Sequence, residues 1–226
     1  MNPARFSRGE KYRNDFSPPA RVLKKLAGRY PLTMLGSWSA REVDPFQVLI
    51  GTILSARSRD EMTDKIAAVL FARYPDAKVL ARARRRDVER ILQPIGFYRT
   101  KAGYVIESAR LVLERGGVPR TLEGLLELPG VGRKVANCVL VYAFGERAIP
   151  VDTHVHRLSN RIGWVKTRTP EETERRLLGL VPKRLWPLIN EALVAHGKRV
   201  CRPIGPLCGD CPIRGYCRHG RTRRGD

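Results

Sequence analysis

Acidic residues are scarce in this chain of 226 residues, and long apolar runs are missing. Lysine and arginine number 43 against 22 aspartates and glutamates, which gives a formal net charge of +21. Such an excess favours a polyanionic partner, because it supplies a salt-dependent attraction to phosphates. No apolar run approaches the roughly eighteen residues that a membrane span needs, so we expect no transmembrane segment. Hydrophobic residues still make up 42% of the chain, which predicts a globular protein with a substantial core.

A secretory signal is also missing. Residues 1–20 carry charges and two adjacent prolines but no apolar centre, which a signal peptide requires. We therefore expect an intracellular protein, in which thiols stay reduced. The five cysteines then need an explanation other than disulfide bonds.

Alternating strand patterns are absent, and apolar residues recur at helical spacing, so we predict an all-α fold. Asp44-Pro45 gives the clearest helix start, because aspartate caps helices and proline suits the first helical position. A connecting loop is predicted over residues 38–43. Further helices are predicted over residues 21–30, 60–74, 83–93, 101–115, 133–144, 152–161 and 185–196, and after residue 170.

Residues 128–134 read Leu-Pro-Gly-Val-Gly-Arg-Lys and predict a tight turn between two helices. Proline ends the first helix, and the two glycines adopt backbone angles that other residues resist. Bare N–H groups at the start of the second helix are suited to binding a phosphate. Lys134 falls in the first turn of this helix, and Asp152 follows the helix. A helix–turn–helix corner with a solvated lysine would show the same pattern.

Four of the cysteines are clustered near the end of the chain with the spacing C-x6-C-x2-C-x5-C. Thiolates this close in a reduced protein predict a metal centre. Zinc sites usually pair two short Cys-x-x-Cys knuckles, and only one such pair is present. A [4Fe–4S] cluster takes four ligands from one compact loop, so the spacing favours the cluster over zinc. The ligands are Cys201, Cys208, Cys211 and Cys217, whereas Cys138 lies within a predicted helix as a small core residue.

Together these motifs resemble the endonuclease III branch of the helix-hairpin-helix DNA glycosylases. The resemblance extends from about residue 22 to residue 217, and it includes Leu-Ser-Ala at 54–56, Ile-Gly-Phe-Tyr at 95–98, Val-Asp-Thr-His at 151–154 and Val-Ala-His-Gly-Lys at 194–198. It implies a bilobal fold. Residues 38–145 would form a six-helix domain, and residues 20–37 with 146–226 an iron–sulfur cluster domain from both chain ends. Residues 1–19 would form a basic, poorly ordered arm.

The resemblance also implies an activity in base excision repair. The chain would act, as a monomer associated with the nucleoid, on double-stranded DNA that contains a damaged base or an abasic site. It would remove damaged, oxidised pyrimidines and cleave the abasic site by β-elimination through a Schiff base on Lys134, with Asp152 as the catalytic carboxylate. The four cysteines would hold a [4Fe–4S] cluster of structural importance.

The proposed nucleophile must be neutral to attack, although an ordinary lysine has a pKa of about 10.4. Burial, the helix N-terminus and the neighbouring Arg133 predict that the pKa of Lys134 is lowered. Asp152 opposes this as a counter-charge and is positioned to accept the proton. His154 and His196 are interpreted as structural.

By the resemblance, Phe97 is a wedge residue and Arg57 fills the space that a flipped nucleotide leaves. A core aromatic is the alternative for Phe97, and a phosphate contact is the alternative for Arg57. The family commonly carries glutamine where this chain has Arg57, and an arginine fork suits guanine better than adenine. The predicted DNA-binding residues are Arg57, Phe97, Gly130, Val131, Gly132 and Arg133.

Two other functions stay open from the sequence. A mismatch glycosylase of the same fold would only excise thymine or uracil, and Lys134 argues against it. A non-catalytic, metal-bearing DNA-binding module would need neither member of the pair Lys134 and Asp152.

Overall fold

The computed structural model describes residues 19–222, and every regular element in that range is helical. The predicted all-α fold is therefore confirmed. The predicted N-terminal arm lies outside the described residues except for Pro19, which begins the first helix. No helix of the described range is long and apolar enough to cross a membrane. The helices are α1 Pro19–Leu26, α2 Met34–Ala40, α3 Pro45–Ser55, α4 Asp60–Arg73, α5 Ala77–Ala81, α6 Arg85–Leu92, α7 Tyr98–Glu114, α8 Leu122–Leu126, α9 Arg133–Phe144, α10 Thr153–Ile162, α11 Pro170–Leu180, α12 Trp186–Arg199 and α13 Arg218–Thr222.

Two helix starts follow the local sequence signals closely. Asp44 caps α3 by accepting a hydrogen bond from the Phe46 N–H at 2.8 Å, and Pro45 occupies the first helical position. Helix α9 begins and ends at the predicted residues, Arg133 and Phe144. Asp60, in contrast, is the first residue of α4 and does not cap it.

The prediction of a loop over residues 38–43 was wrong, because α2 extends through Ala40. Thr33 caps this helix by accepting a hydrogen bond from the Gly36 N–H at 3.1 Å. Trp38 is buried, and its indole N–H donates to Asp64 at 2.7 Å. Burial of Met34, Leu35 and Trp38 stabilises a helix that is too short to give a periodic pattern. The short α5 was missed for the same reason.

The buried side chains form two large cores and a smaller one. Helices α3 to α9 enclose the first core, which includes Leu49, Leu70 and Val105. Helix α1 packs with α10, α11 and α12 around the second core, which includes Leu158 and Leu193. The third core joins α2 to α3, α4 and α9. The predicted domain boundary at residue 38 thus falls inside α2, and the division into two domains stays a prediction.

Buried polar contacts join α9 of the first core to α12 of the second. Tyr142 donates its hydroxyl hydrogen to Asn190 at 2.9 Å, and Asn190 donates to the Pro150 carbonyl at 2.9 Å. Glu191 accepts hydrogen bonds from both the N–H and the hydroxyl of Thr33 at 2.6 Å. These bonds fix the two cores on either side of a cleft, into which the first turns of α9 and α10 project.

Candidate active site

A hairpin between α8 and α9 forms one wall of this cleft. Thr121 caps α8, and the Val131 N–H donates to the Leu128 carbonyl at 3.1 Å to close the turn. Gly130 has φ of 76°, and a Cβ added there would lie 2.5 Å from Cδ2 of Tyr104. Only glycine fits, because the backbone angle and the close approach both exclude a side chain.

The first turn of α9 presents backbone donors rather than a capping side chain. Gly132 occupies the N-cap position in an extended conformation and is exposed, and no side chain caps the helix. The first N–H groups of a helix have no partner within the helix, and the helix dipole favours negative charge there. This turn is therefore suited to binding a DNA phosphate.

Lys134 and Asp152 line the same cleft, which has a volume of about 750 Å³. Lys134 is half-buried in the first turn of α9. Asp152 is the N-cap residue of α10, where its carboxylate accepts a hydrogen bond from the Val155 N–H at 2.8 Å. Asp60 and Lys198 form an ion pair at the cleft wall, between α4 and α12.

The predicted lowering of the pKa of Lys134 was wrong: its pKa is raised above the usual value. The largest influence that favours the ammonium form comes from Cys138, burial acts in the opposite direction, and the carboxylates of Asp152 and Asp60 also favour the ammonium form. Burial raises the pKa of Cys138 itself, so its thiol is uncharged at neutral pH and the two carboxylates supply the negative charge. Cys138 is completely buried, as expected of a core residue.

The guanidinium of Arg133 lies against a carboxylate, so its positive charge does not lower the pKa of Lys134 as expected. Its Nε and Nη2 donate to the two oxygens of Glu174 at 2.8 and 3.0 Å. Glu174 is buried on α11 and also accepts from Asn137 at 3.0 Å. This bidentate pair neutralises Arg133 and ties the hairpin to the second core.

Arg57 and Phe97 lie together on two neighbouring loops, away from the core. The exposed fraction of Phe97 is 61%, so it is not a core aromatic. The Arg57 guanidinium carbon lies 5.5 Å from the centre of the Phe97 ring. Both residues have positive φ angles, 55° and 59°. A pocket beside them is lined by Tyr104 of α7 and Gly130 of the hairpin.

His154 at the cleft and His196 at the cysteine cavity are both engaged with neighbouring groups. His154 lines the cleft, and Arg157 donates to its Nδ1 at 3.1 Å. Burial lowers the pKa of His154. His196 is buried and pairs with the Tyr30 hydroxyl at 2.8 Å, and burial lowers its pKa to about 4.

The four clustered cysteines line a single cavity at the far side of α10. Two donors point at their sulfurs: Nη1 of Arg161 lies 3.5 Å from Sγ of Cys201, and the Gly220 N–H lies 3.4 Å from Sγ of Cys217. No three Cys, His, Asp or Glu side chains within residues 19–222 are gathered closely enough to hold a single metal ion. The apolar wall of the cavity is formed by Leu158, Ile162, Val200, Pro206, Leu207 and Ile213.

The roles of several residues of the site could not be predicted from the sequence, although Lys198 lies in the Val-Ala-His-Gly-Lys motif. Asp60 and Lys198 come from helices far apart in the chain, and Glu174 reads as one of several acids in an amphipathic helix. Lys101 reads as a solvated lysine, yet it is 4% exposed. Each of these roles depends on a partner that only the tertiary fold supplies.

Comparison with known proteins identifies the superfamily and its relatives. Residues 50–183 match the HhH-GPD superfamily of base excision DNA repair proteins. Endonuclease III of Thermotoga maritima is 50% identical over 185 residues, which cover 81% of this chain and 87% of that protein. The expected resemblance is therefore confirmed.

Two solved structures are similar along most of the chain. A trapped endonuclease III–DNA covalent intermediate, an estranged-adenine complex, is 35% identical with a TM-score of 0.75, and the match covers 80% of this chain and 86% of that one. A thermostable thymine-DNA glycosylase is 26% identical with a TM-score of 0.78, covering 90% and 95%.

Proposed function

Because this chain belongs to the endonuclease III family of base excision DNA repair enzymes, we propose that Lys134 and Asp152 are its catalytic pair. As a DNA glycosylase and AP lyase, it would remove oxidised pyrimidines from double-stranded DNA and then cleave the abasic site. The observation that carries this proposal is that both side chains line one cleft, each from the first turn of a helix.

The reaction follows from the chemistry of an amine beside a carboxylate. The neutral Nζ of Lys134 attacks C1′ of the damaged nucleotide, and the bond to the base breaks with its electron pair leaving on the base. Positive charge builds on the sugar as this bond breaks, and the Asp152 carboxylate stabilises it. The C1′–O4′ bond then breaks, its electron pair and a proton go to O4′, and the nitrogen lone pair forms a protonated imine with C1′. This imine makes the C2′ proton acidic, so its loss expels the 3′ phosphate by β-elimination.

Lys134 must lose a proton before it attacks, because its raised pKa keeps it as an ammonium at neutral pH. Asp152 is the neighbouring carboxylate, so it would accept that proton and pass it to the departing base, and it would be ionised again as positive charge builds on the sugar. The carboxylate keeps its place while it does so, since its hydrogen bond to the Val155 N–H holds it as the N-cap of α10. Asp60 stabilises the resting ammonium and is itself paired with Lys198.

The DNA would lie across the cleft, with its phosphates on the hairpin. Gly130 and Gly132 would present N–H groups to the DNA backbone, while the Val131 N–H closes the turn within the protein, and the net charge of +21 would strengthen the attraction. The damaged nucleotide has to leave the duplex to reach Lys134. Arg57 and Phe97 would enter the space that it leaves, which is consistent with their exposed positions on adjacent loops.

We further propose that Cys201, Cys208, Cys211 and Cys217 hold a [4Fe–4S] cluster. The side chains fit such a group, because the four thiols line one cavity with an apolar wall and two N–H donors aimed at sulfur. Burial raises the pKa of Cys211 to about 11, so this thiol needs a bound metal to stay ionised at neutral pH. When bound, the cluster would supply folding free energy to this part of the chain.

Borohydride trapping tests the activity directly. The chain is incubated with duplexes that contain an oxidised pyrimidine, uracil, a thymine mismatch or a plain abasic site, and the imine is reduced to a stable amine. We expect cross-linked protein with the oxidised pyrimidine and the abasic site. Strand cleavage without any cross-link would overturn the role of the Schiff base.

A mismatch-type glycosylase that only excises a base is the second candidate. The likeness to the thymine-DNA glycosylase structure supports it, as does an arginine at position 57, where it suits an opposing guanine. Excision of thymine or uracil opposite guanine without cleavage of abasic DNA would favour this candidate over the first.

A further inference from the structure

Lys101 is a buried lysine that the catalytic scheme does not use. Its side chain is 4% exposed in the first turn of α7, and Nζ donates to the Leu54 carbonyl and the Ser58 hydroxyl, both at 2.9 Å. Its own backbone N–H donates to the Phe97 carbonyl at 3.0 Å. The side chain of Lys101 therefore holds the loop that carries Arg57, and its backbone holds Phe97 through the first hydrogen bond of α7.

Those two loops are strained at the residues that would enter the DNA. Arg57 and Phe97 have φ angles of 55° and 59°, in the left-handed region that ordinary side chains resist. Neither loop is held by sheet pairing or by a disulfide, because the described residues are helical and their cysteines are free. The strain persists only if surrounding contacts fix the loops, and Lys101 provides such contacts.

The hydrogen bond from Lys101 to the Leu54 carbonyl satisfies an acceptor at the end of α3. This helix ends at Ser55, and the Ser58 N–H donates to the Ser55 carbonyl at 3.0 Å instead of continuing the helix. The Leu54 carbonyl belongs to the last turn and lacks the partner that a longer helix would supply. The Lys101 ammonium satisfies it while also holding Ser58, so the residues between these two points are fixed at both ends.

Burying a lysine in this space costs free energy that an apolar side chain would not. Burial lowers the pKa of Lys101 to about 8 because it disfavours the charged form. Methionine would fill a similar volume without that cost, although it could not satisfy the two acceptors. The donors of Lys101, rather than its volume, thus distinguish it from an ordinary core residue.

We propose that Lys101 is a positioning residue, which holds Arg57 and Phe97 in the arrangement that enters the DNA when the damaged nucleotide leaves the duplex. It acts on extrusion of the nucleotide and not on the chemistry at Lys134. This inference rests on the proposed function, in which Arg57 and Phe97 fill the vacated space.

The test compares a substrate that needs extrusion with one that does not. Lys101→Met is assayed in single turnover on a duplex that contains an oxidised pyrimidine and on a single-stranded abasic oligonucleotide. We expect about 10- to 100-fold slower excision from the duplex, since small misplacements of positioning groups have effects of this size. Cleavage of the single strand should stay within about twofold of the unsubstituted chain, because Lys134 needs no wedge there.

Fluorescence gives a readout besides activity. A 2-aminopurine placed opposite the lesion brightens when its stacking is disturbed, and Lys101→Met should reduce that brightening at saturating protein. Ser58→Ala, which removes one of the two acceptors and keeps the Leu54 bond, should give a smaller loss in the same direction, about fivefold on the duplex. It also serves as the test variant if Lys101→Met fails to fold.

Val112→Ala is the matched control, because Val112 is buried on the same helix and belongs to the first core. It should leave the ratio of duplex to single-strand rates unchanged. Equal losses on both substrates in Lys101→Met, or no loss on the duplex, would overturn the positioning role. Failure of the unsubstituted chain to excise the oxidised pyrimidine from the duplex and to cleave abasic DNA would instead overturn the proposed function.

Discussion

Lys134 and Asp152 stand at the first turns of two well-packed helices, whereas the four clustered cysteines lie in a stretch from Cys201 to Cys217 that contains one short 3-10 turn. Helices α9 and α10 bury apolar residues on both sides of the cleft, so α9 does not need Lys134 for its fold, and α10 takes only its N-cap from Asp152. The cysteine stretch has few buried side chains of its own. Substitutions at the cleft should therefore change catalysis with little effect on folding. Substitutions of the clustered cysteines should instead lower the stability of the fold.

The largest expected effect separates chemistry from folding at the cleft. Lys134→Gln removes the amine that forms the imine, so abasic-site cleavage should fall by at least about 10³-fold and trapping should disappear. Thermal unfolding should stay close to that of the unsubstituted chain, because Lys134 is only half-buried. A large drop in melting temperature would show that Lys134 also contributes to folding stability, as the clustered cysteines are expected to do.

Asp152→Asn should slow base release by about 10²- to 10³-fold, since asparagine cannot stabilise the developing positive charge. The fold should survive, because asparagine also caps helices and can accept from the Val155 N–H. Single-turnover excision and circular dichroism measure the two effects. Asp152→Ala is the comparison that loses the cap as well, and it should be less stable than Asp152→Asn by about 1 kcal/mol.

The cysteine stretch should show the opposite behaviour. Cys208→Ser is expected to reduce bound iron and to lower the unfolding temperature, because a closed metal site contributes folding free energy. Iron and sulfide analysis of protein purified without air measures occupancy. Cys138→Ala is the control, since Cys138 lies in the third core and not in the second, and it should retain the iron. Stoichiometric zinc in place of iron would overturn the proposed cluster.

The smallest effect concerns the charge near Lys134. Asp60 raises the pKa of Lys134, so Asp60→Asn should lower that pKa. The neutral amine is then available at lower pH, and the pH profile of abasic-site cleavage should move to lower pH. Glu61→Gln, next along α4 and exposed, is the matched control. A shift to higher pH would show that Asp60 does not act on Lys134 in this way.

The sequence predicted local structure well where short-range signals decide it. Helix α9 was placed at its observed ends because Gly132 and Gly145 flank it, and the Asp44-Pro45 start has a local cap. Helix α2 was missed, since its stability comes from the burial of Trp38 and from the contact between Thr33 and Glu191, which is remote in the chain.

The residue types of the site could be predicted from the sequence, but the shift in the pKa of Lys134 could not. The hairpin motif and Asp152 indicated one cleft, and both residues of the pair line it. The direction in which the pKa of Lys134 is shifted was predicted wrongly for two reasons. Asp60 reaches the cleft from another helix, and Glu174 neutralises Arg133. Lys101 was missed because its burial depends on Leu54 and Ser58, which follow a different helix.

The Arg133–Glu174 pair has a consequence for how DNA affinity responds to ionic strength. A protein side chain displaces condensed counterions from DNA only to the extent that it brings uncompensated positive charge to a phosphate. With its charge matched by Glu174, Arg133 should add little to the slope of log affinity against log salt concentration. The hairpin would then bind phosphate through backbone dipoles, and the steep salt response of so basic a chain would arise from its other arginines and lysines.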